Sequence, residues 1–145
     1  MSHYFKQTSL PLFENFCRKQ QVDGKEIEVT ICDSPIRVKA LTTPRSQAKG
    51  YMGAESSPKD GEGLLFVYDD EEPLHFWMKD VAFPLDIMFF DSNFKLVDRQ
   101  RMEPHSGEPD NSIPRYVSKK PARFAVEVRA GWCDDNLKEE PTLKF

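Results

Sequence analysis

The stretch EIEVTICDSPIRVKAL, residues 26–41, decides the class of this chain. Ile27, Val29 and Ile31 fall on one side and Glu26, Glu28 and Thr30 on the other; past a polar turn at Asp33-Ser34, Ile36, Val38 and Ala40 repeat the pattern. Successive side chains of a strand point to opposite faces, so strict alternation marks a strand buried on one side. Two such runs around a short turn predict a β-hairpin.

Working outward, four more segments read as strands: GLLFVYD (63–69), LHFWMKD (74–80), PLDIMFF (84–90) and FKLVDRQ (94–100), with DSN turning between the last two. ARFAVEVRAG (122–131) alternates again, with Phe124, Val126 and Val128 on one face. TTPRSQAKGYMG (42–53) reads as a capped helical turn, with Thr43 before Pro44 and Gly50 ending it. SLPLFENFCRKQQ (9–21) predicts a short helix with Leu10, Phe13, Phe16 and Cys17 on one face, and the tail (132–145) one helical turn and a short edge strand. The proline-rich stretch between residues 102 and 116 is a long loop, the kind that serves as a lid, a binding loop or a plain connector. The expected fold is α+β and β-dominated: a single curled sheet or small barrel of about seven short strands with two or three short helices. One domain is expected over residues 1–145, with a helical extension at 1–21 and the β-rich core at 26–137.

The chain has 145 residues, a formal net charge of −4 and 39% hydrophobic residues. Such a balance supplies no broad positive field, so nucleic acid is not an expected partner. Neither is a membrane: no run approaches the roughly 18 to 20 apolar residues of a span, and residues 1–21 show neither a basic leader nor an unbroken apolar segment. Three widely spaced cysteines, Cys17, Cys32 and Cys133, form no C-x-x-C pair, which points to reduced thiols and a cytoplasmic setting.

The chemistry is sought in FWMKDVAFPLDIMFFD (76–91), where charges interrupt an apolar stretch. Asp86 shares its strand face with Met88 and Phe90 and needs a partner there, since an unpaired buried carboxylate costs several kcal/mol or shifts its pKa upward. Lys79 and Arg45 are the expected partners. Two readings stand beside each other: a shared pocket, or a carboxylate that caps a turn while the ammonium faces water. His75 and His105 lack metal-ligand spacing, and Glu103, His105, Glu108 and Asp110 read as solvated loop residues, so no metal is expected. No nucleophile motif, phosphate loop or dinucleotide fingerprint is present, and no cofactor is expected.

The series R-x-x-x-x-G-x-M-G (45–53), G-x-G-L-L-F (61–66), F-W-M-K-D with P-L-D-I-x-F-x-D (76–91) and P-A-R-F-A-V-E-V-x-A-G (121–131) resembles the domain-of-unknown-function-192 family. The resemblance implies a β-rich domain and carries no reaction with it. It singles out Arg45, Trp77, Lys79, Asp86 and Ser118 as the lining of a ligand pocket overhung by the loop from Glu103 to Tyr116. Where the family usually has Lys-Asn, this chain has Lys79-Asp80, which adds a negative charge at that place. The family's exported members carry leaders, and some have a loop cysteine pair that is missing here, in line with a reducing compartment.

The leading expectation is a non-catalytic binding or accessory module for a small polar ligand, a glycan or a peptide. The second is an interaction or assembly subunit docking a protein partner through residues 1–21; related sequences occur in bacteriophage genomes, so a virion location belongs to this reading. The third is a hydrolase using Asp86 as base, with Lys79 or Arg45 stabilising charge.

Overall fold

A computed structural model describes residues 22–138 and 141–145; the helix expected at 9–21 lies outside them. The hairpin at the centre of the sequence reading forms from β1 (Glu26–Ile31) and β2 (Ser34–Leu41), paired antiparallel from Glu26–Lys39 to Ile31–Ser34. Its turn is Cys32-Asp33, one residue earlier than the sequence suggested. Both residues have positive φ, 50° and 64°, the two-residue geometry whose twist matches that of the strands it joins.

β3 (Glu62–Glu72) lies parallel to β2, and the crossover between them carries α1 (Pro44–Lys49). Thr43 caps α1: its hydroxyl accepts from Ser46 N, while Thr43 N donates to the Ser46 hydroxyl. β5 (Leu85–Phe90) and β6 (Leu96–Met102) form the second hairpin, and β8 (Ala122–Arg129) sits between β5 and β3. With β9 (Leu143–Lys144) the sheet order is β6-β5-β8-β3-β2-β1-β9. The tail bonds to both edges: β9 pairs with β1, Leu143 N donates to Phe94 O, and Leu96 N donates to Pro141 O. The sheet is therefore curled, and its two edges meet through the C-terminal segment.

Curling gives the sheet two buried faces. Inside the curl, Val29, Ile36, Leu65, Met88, Phe124 and Val126 pack with Trp132 of α2 (Trp132–Asn136). The outer face carries Leu64, Phe66, Leu85, Ile87, Phe89 and Ala125. Over it lies a small second sheet of β4 (His75–Phe76) and β7 (Tyr116–Val117), with Leu74, Met78, Val81 and Phe83. All six residues of β5 are buried as a result. β4 corrects the sequence reading: the strand expected through Asp80 ends at Phe76. Val81 N donates to Met78 O in a turn, and Asp80 takes φ of 56°.

Candidate functional site

Asp86 has a different partner from those expected. Its Oδ1 accepts from Arg101 Nε at 2.6 Å, and its Oδ2 accepts from Gly131 N and Cys133 N, both at 3.0 Å. Neither Lys79 nor Arg45 pairs with it. Asp86 and Arg101 face each other across the β5–β6 ladder, and the two backbone donors belong to the first turn of α2. The carboxylate thus caps that helix from another strand and meets a cation as well. Burial, then the neighbouring Asp86 charge, pushes the Cys133 thiol up to about 12, so the thiol stays protonated.

The other residues singled out by sequence are dispersed. Arg45 is exposed on α1. Lys79 Nζ bonds Asp110 Oδ2 at 2.7 Å, and that carboxylate raises its pKa. Ser118 is buried and staples β4 in place: its hydroxyl accepts from Leu74 N, and its own N–H donates to Leu74 O. Trp77 lies under the Arg115 guanidinium, 4.2 Å from the ring centroid, with Lys79 Nζ at 5.5 Å.

The long loop is held by His105. Its N–H donates to Val81 O, its Nδ1 accepts from Asp80 N at 3.1 Å, and its Nε2 lies 2.9 Å from Glu108 O. Those partners fit the tautomer that carries its proton on Nε2. Asp80 O in turn accepts from Gly53 N, joining the G-x-M-G and W-M-K-D motifs. Position 80 answers to backbone geometry: a left-handed residue favours Asn over Asp and excludes β-branched side chains. Asp80→Asn should raise stability by a few tenths of a kcal/mol, whereas Asp80→Val should lower it by about 1–2 kcal/mol. Urea midpoints with an unchanged m-value would check both.

A cavity of about 310 Å³ on the outer face opens between α1, β3, β4 and β8. Gln47, Gly50, Tyr51, Phe66, Tyr68, Phe76, Trp77 and Met78 line it, with Glu127 of β8. Of the five residues expected to line a pocket, Trp77 alone lines this one. Smaller hollows of about 120 and 110 Å³ lie beside Asp86 and under the loop at His105.

Glu127 is what the sequence reading missed. It is 4% exposed, and among the described residues its carboxyl has no hydrogen-bond or ion-pair partner. Desolvation pushes its pKa up to about 8. Tyr51 and Tyr68 are raised too, by burial first and then by the Glu127 charge. Backbone geometry brings Glu127 close: a Cβ on Gly63 would run into the Glu127 carbonyl oxygen, and one on Gly50 would stand 3.9 Å from its Oε1. Gly50, with φ of 45°, ends α1 against the cavity in a conformation suited to glycine. Among the described residues no group of three or more His, Cys, Asp or Glu is placed to hold a metal ion, and no helix is long and apolar enough to cross a membrane.

The sequence pattern of the domain-of-unknown-function-192 family (DUF192), described as an uncharacterized ACR, matches residues 25–145. The chain belongs to the DUF192 family. Two crystal structures share its fold. One is a protein of unknown function from Novosphingobium aromaticivorans, 21% identical, with a TM-score of 0.73 over 83% of this chain and 85% of that one. The other, from Sinorhizobium meliloti, is named as a candidate transcription regulator; it is 21% identical, with a TM-score of 0.74 over 85% of this chain and 95% of that one. No curated protein matches significantly. In this DUF192 chain the motif residues divide between two roles. Gly50, Trp77 and Met78 shape the cavity, while Asp86 and Ser118 hold the frame around it.

Proposed function

We propose that this DUF192 domain is a non-catalytic binding module that takes a small polar ligand in the cavity beside Trp77. The observation that carries the reading is Glu127, a buried carboxyl without a partner among the described residues, in the wall of an open, aromatic-lined cavity. A buried polar group left unpaired costs about 1–3 kcal/mol, and a ligand that pairs with it recovers that penalty. Rigid walls with a few convergent polar groups are the usual make-up of a small-molecule site.

The hydrolase reading draws less support, since both Asp86 oxygens accept from protein donors. A nucleic-acid role, which the Sinorhizobium neighbour's name would suggest, finds no support in a chain of net charge −4. The assembly reading rests on residues 1–21, outside the described part of the chain.

A thermal-shift panel of amines, sugars and short peptides tests the proposal. A ligand at a hundredfold excess over its Kd should add about 2.7 kcal/mol, or roughly 5–10 °C at this size, and Glu127→Gln should abolish most of that shift. Hits that stabilise wild type and variant equally would place the binding elsewhere.

A further inference from the structure

Among the described residues the cavity wall sets two acceptor side chains, Gln47 and Glu127, beside the Tyr51 and Tyr68 hydroxyls and the Trp77 indole N–H. Gln47 Nε2 donates to Leu41 O at 3.1 Å and to Val67 O at 2.8 Å, which leaves the side chain its carbonyl oxygen to offer. Glu127, once ionised, offers oxygens alone. The rings of Tyr51, Phe66, Tyr68, Phe76 and Trp77 complete the lining; aromatic π faces attract positive charge, and Trp77 already holds the Arg115 guanidinium and Lys79 Nζ over its ring. Lys49 and His75 are the cationic or titratable nitrogens of the lining, and both side chains are exposed. Neither forms an ion pair with Glu127 among the described residues.

We infer that the ligand is an organic ammonium: a protonated amine on a short apolar body, with its N–H groups on the Glu127 carboxylate and its hydrocarbon part against the rings. The inference rests on the binding-module reading above and sharpens it to one chemical class. A sugar would find donors in the Tyr51 and Tyr68 hydroxyls and the Trp77 indole N–H, but it would leave the charge of an ionised Glu127 unmatched. An ammonium needs acceptors and negative π faces, which the wall supplies. A volume of about 310 Å³ is at the small end for ligand sites and suits an amine with a body of a few carbons.

Proton linkage makes the class testable. Desolvation holds Glu127 protonated up to about pH 8, so a cation that pairs with the carboxylate must displace that proton. The charged and ionisable side chains around the cavity are Lys49 at the end of α1, Tyr51 after it, Glu62, Tyr68 and Glu72 of β3, His75 of β4, and Lys79 and Arg115 over Trp77. The direct experiment is calorimetry with n-butylammonium, which stays protonated throughout, against n-butanol, its neutral counterpart, on wild type and Glu127→Gln.

The ammonium should bind on the order of 50- to 100-fold more tightly at about pH 9 than at about pH 6, with release of close to one proton per site at the lower pH. The alcohol should bind weakly and without pH dependence, and Glu127→Gln should lose the ammonium's advantage. Alcohol binding as tight as the ammonium's, independent of pH, would overturn the ammonium class and leave the binding cavity standing. Binding of neither probe, at any pH and at millimolar concentration, would overturn both readings.

Discussion

At about pH 8 the Glu127→Gln variant is expected to melt more than about 10 °C above the wild type, while at about pH 4 the two should melt together. In the folded protein Glu127 keeps its proton up to about pH 8, against an ordinary value of 4.5. Between those limits the folded state holds a proton that the unfolded state has released. Stability then falls as the pH rises, by about 1.4 kcal/mol per pH unit and about 5 kcal/mol in all. Glutamine has nearly the same shape and no proton to lose, so the variant lacks that slope. Below the ordinary carboxyl value both states are protonated, and the substitution is close to neutral. Melting curves from pH 4 to 9 would check this, and a wild-type slope that survives in the variant would assign the titration to another group.

Asp86→Ala should have the second large effect, in the opposite direction. The carboxylate is 4% exposed and satisfies the first turn of α2 while meeting Arg101. Its removal leaves two backbone N–H groups without their acceptor, at about 1–3 kcal/mol each when buried, and takes away a charge-assisted bond. Because the Arg101 side chain remains 44% exposed, water resolvates its guanidinium, which tempers the loss. About 3–4 kcal/mol is expected, or roughly 10 °C in melting temperature. Arg101→Ala should cost only about 1 kcal/mol, since the helix cap survives. Asp86 is absent from the main cavity, so a ligand that stabilises the wild type should stabilise Asp86→Ala by the same increment. A ligand shift lost in this variant would return Asp86 to the binding site.

The contrast between these two carboxyls explains what sequence could and could not give. Asp86 stood out because it interrupts an apolar face, and its need for a partner was legible. The partner was not. The β5–β6 hairpin was visible, and counting back from Phe90–Leu96 would set Asp86 opposite Gln100. A register shift between Phe89 and Phe90 moves Arg101 there instead, and one extra residue in a strand leaves no mark in an alternation pattern.

Glu127 was hidden for the opposite reason. In FAVEVRA it sits on the face opposite Phe124, Val126 and Val128, which a one-sided strand turns toward water. Here that face is covered by β4, β7 and the turn at Met78–Val81, so the polar side of a correctly read strand ends up inside. The covering layer was itself misread. LHFWMKD alternates like a long strand, yet Asp80 in the left-handed region and the His105 bonds turn the chain at residues 78–81. The inner face of the sheet was legible because it depends on local alternation; the second layer depends on contacts between residues far apart in sequence.

The central claim is that Glu127 is a buried carboxyl, unpartnered among the described residues, in the wall of a ligand cavity. The measurement that reaches it most directly is a carbon-13 NMR titration of the Glu127 side-chain carboxyl in the ligand-free protein. The expected midpoint lies near pH 8 and moves down when an amine occupies the cavity. A midpoint in the ordinary carboxylate range, unmoved by amines, would mean that the group is solvated or already paired, and would contradict the claim.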